Sequence, residues 1–311
     1  MLKVTVPEQR WIDLVGPVDG VDLQVWDMSG PLADPVGVTF VVSPYQVTSA
    51  GYDNLASATD ATAFQLLSAG YEHALPFLQP GMELANARGV HDSATAELAA
   101  TLILAAQRRL PDYLESEGER RWDDRRFEPG LADKKVMIIG YGEIGQAIAR
   151  RLLPFETTLT AVASRDRDGD ELVDHIHALD DVDTLLPEQD VVVLIVPLTD
   201  ATERLVDADF LARMKKGALL VNVARGRVVD TDALVDAVAS GHVRAALDVT
   251  DPEPLPDGHP LLALDGVLEV PHLGGLTDAF APRAARLIRS QLERLARGES
   301  LEHVVATGTT S

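Results

Sequence analysis

A glycine-rich segment between a predicted strand and a predicted helix has the spacing of a phosphate-binding turn. It follows the apolar run 136–139 and consists of Gly140, Tyr141, Gly142, Glu143, Ile144 and Gly145. In a G-x-G-x-x-G pattern, the first glycine permits a tight turn, the second lets the backbone approach a pyrophosphate, and the third lets the helix pack on the strand. Because the helix N-terminus attracts anions, this segment predicts a dinucleotide site.

The end of the next predicted strand bears on which dinucleotide would bind. An acidic residue about 20 residues after the glycines commonly holds the ribose hydroxyls of NAD. Here the segment reads Ser164, Arg165, Asp166, Arg167, with no carboxylate at the strand tip itself. A hydroxyl and two guanidinium groups suit a 2′-phosphate, so NADP(H) is the favoured cofactor, with NAD(H) as the alternative. The arginines could also be solvated loop charges, or Arg165 could stack on adenine.

Two further side chains follow predicted strands and could act on a small anionic substrate. Arg225 comes after the apolar strand 218–223, and His272 comes after the strand 267–270. Open α/β sheets bind ligands at the carboxyl ends of their strands. A guanidinium suits a carboxylate, and an imidazole can give and take a proton near neutral pH. The alternatives are a surface ion pair for Arg225 and a structural role for His272.

The elements that would position these residues alternate between short apolar strands and helices, as is typical of α/β proteins with parallel sheets. The predicted strands of the first hundred residues are 39–42, 63–67 and 84–86. A second series starts at Lys135 and includes the apolar run 190–196, as expected for a central strand covered on both faces. The predicted helices are 93–110, 143–153, 232–240 and 277–297, with an irregular surface stretch over 115–130.

Length, charge and composition exclude several classes of protein. A chain of 311 residues fits two domains of about 100–200 residues each. The net charge of −22 disfavours nucleic acid and anionic membranes, although such acidity can serve solubility alone. The absence of cysteine excludes disulfide scaffolds, thiolate metal sites and cysteine nucleophiles. With no apolar run of about 18 residues and no signal-peptide pattern in residues 1–10, we expect a cytoplasmic protein.

Several segments, in chain order, resemble the signature segments of the D-isomer-specific 2-hydroxyacid dehydrogenases. They are 190–199, 222–230, 246–254 and 271–275, together with 68–71, 95–97 and the glycine motif. The resemblance covers nearly the whole chain and is strongest to the glyoxylate/hydroxypyruvate reductase branch. It implies two doubly wound parallel-sheet domains. A Rossmann nucleotide-binding domain, 99–278, is inserted into a flavodoxin-like substrate domain, 1–98 plus 279–311.

The resemblance also implies a reaction and its catalytic residues. NAD(P)H would reduce a small 2-oxo acid, such as glyoxylate or hydroxypyruvate, with Arg225 holding the carboxylate and His272 donating the proton. The family pairs its histidine with a glutamate, here Glu253 between two prolines. A carboxylate on the far ring nitrogen would fix the tautomer. Because Thr250-Asp251 replaces the family's Phe-Glu before the Glu-Pro step, Asp251 is a rival to Glu253.

Further contacts are implied for the cofactor and the substrate. Asp248 is expected to hold the nicotinamide carboxamide, with a capping or turn carboxylate as the alternative. The backbone N–H groups of Gly70 and Tyr71 are expected to bind the substrate carboxylate, unless they form only a tight turn. The other expected cofactor contacts are Ser164, Arg165, Val196, Pro197, Ala224 and Gly274.

Other functions and partners follow from the same resemblance. One rival is a phosphoglycerate-, formate- or phosphite-type dehydrogenase of the same family. A second rival is a non-catalytic dinucleotide-sensing protein, which the presence of Arg225, Glu253 and His272 disfavours. The expected assembly is a homodimer, with the alanine-rich helix from Ser93 as a candidate contact. No metal is predicted, because His175 and His177 share one strand face without a third ligand.

Overall fold

Two sets of strands, each joined by helices, organise the chain. The computed structural model describes residues 1–120, Trp122 and residues 127–309. The first unit comprises Met1–His91 and Leu276–Ser311, and the second comprises Asp92–Gly275. The sequence places the boundaries at 98 and 278. Residue 98, however, lies inside a helix of the second unit, whose side chains pack in that unit's core.

A six-stranded sheet forms the centre of the first unit. Its strands are β1 (Leu2–Val6), β2 (Val21–Val25), β3 (Val38–Val42), β4 (Ala63–Gln65), β5 (Glu83–Ala85) and β14 (Val304–Thr307). They lie in the order β2-β1-β3-β4-β5-β14, and all neighbours are parallel except β5 and β14. The first five strands have the flavodoxin-like order. The helices of this unit are α1 (Gln9–Val15), α2 (Ser49–Asp53) and α9 (Phe280–Ala296).

An eight-stranded sheet forms the centre of the second unit. Its strands are β6 (Lys135–Ile139), β7 (Thr158–Ala163), β8 (Arg167–Asp168), β9 (His175–Ala178), β10 (Val191–Leu194), β11 (Ala218–Asn222), β12 (Val243–Leu247) and β13 (Val267–Glu269). The order β9-β7-β6-β10-β11-β12 is that of doubly wound dinucleotide-binding sheets, with β13 and the antiparallel β8 at the two edges. The predicted fold class, two doubly wound α/β units, is confirmed.

Helices cover both faces of the second sheet. They are α3 (Asp92–Gln107), α4 (Leu110–Gly118), α5 (Glu143–Leu152), α6 (Val182–Leu185), α7 (Ala208–Arg213) and α8 (Thr231–Ala239). Alternate residues of the central strands pack to opposite sides: Val192 and Leu220 lie in one apolar cluster, Val191 and Leu219 in another. Burial on both faces explains why these strands are apolar throughout rather than alternating.

The register of the second sheet brings the ends of its strands to one edge. Ile139 of β6 pairs with Val162 of β7 and Leu194 of β10, Leu194 pairs with Asn222, Asn222 with Leu247, and Leu247 with Glu269. The segments that follow these strands therefore leave the sheet side by side. They contain the predicted residues Gly140, Ser164, Val196, Arg225, Asp248 and His272.

The segment after α3 differs from the prediction. The sequence predicts one helix over 93–110 and an irregular stretch from residue 115. The structure instead ends α3 at Gln107, and a second helix, α4, begins after Arg109. Arg109 has a left-handed backbone with φ of 49°, which interrupts the helical geometry. The rest of the predicted stretch includes residues 121 and 123–126, which lie outside the described part. No helix of the described residues has the length and apolarity to cross a membrane.

Candidate active site

The glycine turn after β6 is shaped by contacts that only glycine allows. Gly140 has a φ of +108°, and a Cβ added there would lie 2.3 Å from the carbonyl oxygen of Ile195. A Cβ on Gly145 would lie 2.1 Å from the carbonyl oxygen of Gly140, so α5 packs directly on the turn. A Cβ on Gly142, by contrast, would meet nothing within 4 Å. This open space beside the N-terminus of α5 fits the pyrophosphate of a dinucleotide.

These contacts separate the structural from the ligand-binding glycines. We expect Gly142→Ala to leave the free energy of unfolding within about 0.5 kcal/mol of wild type, because its Cβ has room. The same methyl group would narrow the approach to the pyrophosphate and weaken dinucleotide binding by about tenfold or more. Gly145→Ala should instead lower the free energy of unfolding by about 2 kcal/mol. Denaturant unfolding and calorimetric titration measure the two effects, and normal NADPH affinity in Gly142→Ala would contradict the assignment.

Two arginines and a serine lie at the tip of β7. Ser164 and Arg165 are exposed, and Nη2 of Arg167 donates to the carbonyl oxygen of Tyr141 at 3.0 Å. This hydrogen bond connects the segment after β7 to the glycine turn after β6. The Tyr141 hydroxyl donates to Oδ1 of Asp170 at 3.2 Å, and burial, together with the Asp170 charge, raises the pKa of this tyrosine. Tyr141 is thus a buried, neutral support for the turn.

His272, which follows β13, and Glu253, which follows β12, form a hydrogen-bonded pair. Nδ1 of His272 lies 2.6 Å from Oε1 of Glu253, and the two side chains are 46% and 43% exposed. Because a carboxylate accepts only from a protonated Nδ1, Nε2 is the ring atom left to exchange a proton with a ligand. The rival Asp251 is exposed, and its carbonyl oxygen accepts from the Thr231 hydroxyl at 2.7 Å. The structure therefore places Glu253, and not Asp251, at the histidine.

Asp248 holds the backbone of the loop that carries His272. Its carboxylate accepts from the N–H of Leu273 at 2.6 Å and from that of Gly274 at 3.1 Å, and its carbonyl oxygen accepts from the N–H of His272 at 2.9 Å. Burial raises the pKa of Asp248, while the Leu273 N–H and the His272 charge oppose that shift. The Thr95 hydroxyl, to which the sequence assigns no role, donates to the carbonyl oxygen of Gly274 at 3.1 Å. In this structure the hydrogen bonds of Asp248 hold the loop of residues 272–274 and so position His272, the candidate catalytic histidine.

Arg225 lies in a loop that is braced from two sides. Asn222 at the end of β11 donates to the Arg225 carbonyl oxygen at 3.0 Å and accepts from the Ala224 N–H at 3.0 Å. Nη1 of Arg225 donates to the Ala224 carbonyl oxygen at 2.7 Å. A Cβ on Gly226 would lie 1.9 Å from the carbonyl oxygen of Thr250, so this loop packs on the one that leads to Glu253. These contacts hold the backbone of Arg225 in place at the edge of the sheet, where its side chain begins.

The remaining predicted cofactor residues lie along the same edge. Val196 and Pro197 follow β10, and a Cβ on Gly140 would lie 2.9 Å from the Val196 nitrogen. The Pro197 carbonyl oxygen accepts from the Thr202 hydroxyl at 2.6 Å. Val196 therefore lines the glycine turn, and the Pro197 segment is held by a local hydrogen bond.

The predicted substrate residues Gly70 and Tyr71 lie in the first unit, and one of their N–H groups is engaged there. The Ser68 hydroxyl donates to the Gly70 carbonyl oxygen at 2.8 Å. The Tyr71 N–H donates to Oε2 of the neighbouring Glu72 at 2.8 Å. The sequence predicts this N–H for the substrate carboxylate. In the structure a carboxylate of the chain itself accepts from it.

His175 and His177 lie on β9 and share one face, as predicted. Their ring centroids are 4.7 Å apart in an edge-to-face arrangement. Nε2 of His175 lies 2.8 Å from Oδ2 of Asp166. Within residues 1–120, 122 and 127–309, no group of three or more potential metal ligands was found.

Comparisons with known proteins agree on one family. Residues 100–274 match the family described as D-isomer specific 2-hydroxyacid dehydrogenase, NAD binding domain. The glyoxylate reductase/hydroxypyruvate reductase of Homo sapiens is 36% identical over 255 residues, which cover 79% of this chain and 77% of that protein. The D-3-phosphoglycerate dehydrogenase of Methanocaldococcus jannaschii is 35% identical over 235 residues, 73% of this chain and 44% of that protein.

A solved structure supports the same relationship. The D-isomer specific 2-hydroxyacid dehydrogenase from Xanthobacter autotrophicus, in complex with NADPH and MES, has a TM-score of 0.81 and 27% identity, and the match covers 98% of each chain. The family match, from 100 to 274, spans more than half of the 311 residues and includes every predicted site residue except Gly70 and Tyr71. The chain therefore belongs to the D-isomer-specific 2-hydroxyacid dehydrogenase family, oxidoreductases that act on the CH–OH group with NAD(P).

Proposed function

We propose that this chain reduces a small 2-oxo acid of the glyoxylate or hydroxypyruvate class to the corresponding 2-hydroxy acid, with NADPH favoured as the cofactor. The observation that carries the proposal is the 2.6 Å contact between His272 Nδ1 and Glu253. His272 lies in a loop that Asp248 anchors at the carboxyl edge of the dinucleotide-binding sheet. A proton donor at that edge is what reduction of a carbonyl requires beyond the hydride.

Each of three residues has a role in this reaction. The nicotinamide supplies the hydride when the cofactor is bound. Nε2 of His272 gives its proton to the carbonyl oxygen as negative charge develops there, and Glu253 keeps the ring in the orientation and tautomer this needs. Arg225 binds the substrate carboxylate with its planar guanidinium, which fixes the direction in which the carbonyl points.

The relatives support the substrate class and also indicate the main competing one. The human relative is named a glyoxylate reductase/hydroxypyruvate reductase, whereas the archaeal relative is named a D-3-phosphoglycerate dehydrogenase. The two substrate classes differ by a phosphate group. A phosphorylated substrate would need cations beyond the one that binds the carboxylate. We favour the unphosphorylated acids because Arg225, which binds the carboxylate, is the one arginine or lysine among the proposed substrate residues, and His272 gives up its proton in the reaction.

A substrate panel tests this proposal directly. NADPH oxidation would be followed with glyoxylate, hydroxypyruvate, pyruvate and 3-phosphohydroxypyruvate, and NADP+ reduction with formate and phosphite. We expect the highest kcat/KM with glyoxylate or hydroxypyruvate. A higher kcat/KM with 3-phosphohydroxypyruvate would instead identify the chain as a phosphoglycerate-type dehydrogenase. Normal dinucleotide binding without turnover of any compound would favour the sensing role.

Arg165 offers a test of cofactor choice. Arg165 comes two residues after β7, near the strand end where a 2′-phosphate would lie in this type of fold. A charge-assisted hydrogen bond to phosphate is worth about 1.5–3 kcal/mol, so Arg165→Ala should weaken NADPH binding by about tenfold or more. NADH binding should change by less than about twofold. Equal losses for both cofactors would leave Arg165 as an adenine-stacking residue, and no loss would leave it as a solvated charge.

We also propose that the protein forms a homodimer. The alanine-rich helix α3 is less available for this contact than its sequence predicts, because most of its apolar residues pack inside the second unit, against α5 and β11 among others. Sedimentation equilibrium tests the assembly. A single species with the 33.5 kDa mass of one chain would contradict it.

A further inference from the structure

The carboxylate of Asp166 forms a hydrogen bond with a histidine, although the residues on either side of it in the sequence are arginines. Oδ2 of Asp166 lies 2.8 Å from Nε2 of His175. Neither Arg165 nor Arg167 forms an ion pair with any residue that the structure describes, and Arg167 donates instead to the Tyr141 carbonyl oxygen. The acidic residue between the two arginines is thus engaged by His175, and among the described residues no carboxylate forms an ion pair with either guanidinium group.

A short hairpin brings His175 to this position. β8 and β9 pair in antiparallel fashion, with Asp168 opposite His175. The turn between them is closed by a hydrogen bond from the Gly169 N–H to the Asp174 carbonyl oxygen at 3.2 Å. A Cβ on Gly169 would lie 1.9 Å from the Val173 carbonyl oxygen, so only glycine fits at this position of the turn. The hairpin therefore holds the imidazole beside the loop that follows β7.

We propose that His175 is a positioning residue for cofactor specificity. It holds the Asp166 carboxylate by a hydrogen bond, so that this carboxylate does not compete with a 2′-phosphate for Arg165 or Arg167. The inference rests on the NADP(H) preference proposed above. Without His175, Asp166 would compete with the phosphate for the arginines, and its negative charge would oppose binding of a dianion. The chain thus combines an acidic residue at the ribose end of the site with selection for a phosphorylated ribose.

Binding of two nucleotides that differ by one phosphate tests this proposal. Calorimetric titration of the full chain with adenosine 2′,5′-bisphosphate and adenosine 5′-monophosphate gives an affinity ratio that reports on the 2′-phosphate alone. We expect His175→Ala to lower this ratio about threefold, the scale of one exposed charge interaction. Binding of the monophosphate should be unchanged, which also shows that the variant is folded. His175→Gln keeps a side-chain N–H donor and should retain most of the ratio.

Two further variants show whether the effect passes through Asp166. His177→Ala is the matched control, because His177 contacts the His175 ring but has no hydrogen bond to Asp166 in the structure. It should leave the ratio unchanged. In an Asp166→Asn background, His175→Ala should not lower the affinity ratio further, because residue 166 then carries no negative charge.

The outcomes distinguish this inference from the proposal on which it rests. An unchanged ratio in His175→Ala, or an equal loss in the Asp166→Asn background, would overturn the role of His175. Equal affinity of the wild type for the two nucleotides would instead contradict the NADP(H) preference. In that case the role of His175 is still decided by whether its replacement lowers the ratio relative to wild type.

Discussion

Replacement of His272 by asparagine is expected to lower kcat about 10²–10⁴-fold, the usual contribution of a general acid–base residue. The ring is the proton donor candidate because Glu253 engages Nδ1 at 2.6 Å and leaves Nε2 for the substrate. Asparagine is the suitable replacement because His272 has a left-handed backbone with φ of 51°, which asparagine tolerates better than most residues. The loop should therefore keep its shape while it loses its titrating group.

Dinucleotide affinity separates loss of chemistry from loss of structure. Steady-state kinetics would give kcat and KM, and calorimetric titration would give the affinity for NADPH. We expect the affinity in His272→Asn to stay within about twofold of wild type, because the dinucleotide-binding glycine turn follows a different strand. Turnover within a few-fold of wild type would exclude His272 as the proton donor.

Glu253 and Asp251 form a matched pair for the second half of this test. Glu253→Gln keeps the size of the side chain but removes the charge that faces Nδ1, and we expect kcat to fall about 10–10²-fold. Asp251→Asn makes the same chemical change two residues away, where the side chain is exposed. It should change kcat less than about twofold. The reverse ranking would reassign the partner of His272 to Asp251.

The sequence was sufficient to predict that the candidate site residues of the second unit follow its strands, because strand ends are visible as boundaries of apolar runs. Val223, Val249 and Val270 precede polar or glycine-containing segments, and parallel strands place such segments at one edge. The order of the strands needed the family resemblance. An apolar run shows that a strand is buried and does not show which strand lies beside it.

The contacts that orient the site residues could not be predicted from sequence patterns. Thr95 and Gly274 are separated by 179 positions, and no local rule joins a threonine in one helix to a distant carbonyl. Asp248 shows the same limit. Its position after β12 indicates a functional carboxylate, but its bonds to the N–H groups of Leu273 and Gly274 depend on how two loops meet. The Tyr71 N–H is a further contact that the sequence pattern did not predict. Its acceptor is the side chain of the adjacent Glu72 and not a substrate carboxylate.

Replacement of Arg225 by lysine is expected to lower kcat/KM for the 2-oxo acid about 10²-fold, with a raised KM and a reduced kcat. Lysine keeps the positive charge, but its ammonium cannot bind both carboxylate oxygens in the planar geometry of a guanidinium. The carboxylate would then be attracted without being aligned, and the carbonyl would no longer point at the proton donor. Because Asn222 braces this loop through backbone atoms of Ala224 and Arg225, the substitution should leave the loop intact.

Arg227 provides the matched control for this prediction. It lies two residues further along the same loop, is exposed, and forms an ion pair with Glu203 at 2.5 Å. Arg227→Lys should change kcat/KM by less than about twofold, since exposed ion pairs contribute little. If Arg225→Lys also reduced the acid normally, the carboxylate would be held elsewhere, and the Gly70–Tyr71 turn would be the next candidate. Glu72→Gln would then test this candidate, because replacing the carboxylate that accepts from the Tyr71 N–H by a neutral amide should lower KM if the substrate carboxylate uses that donor.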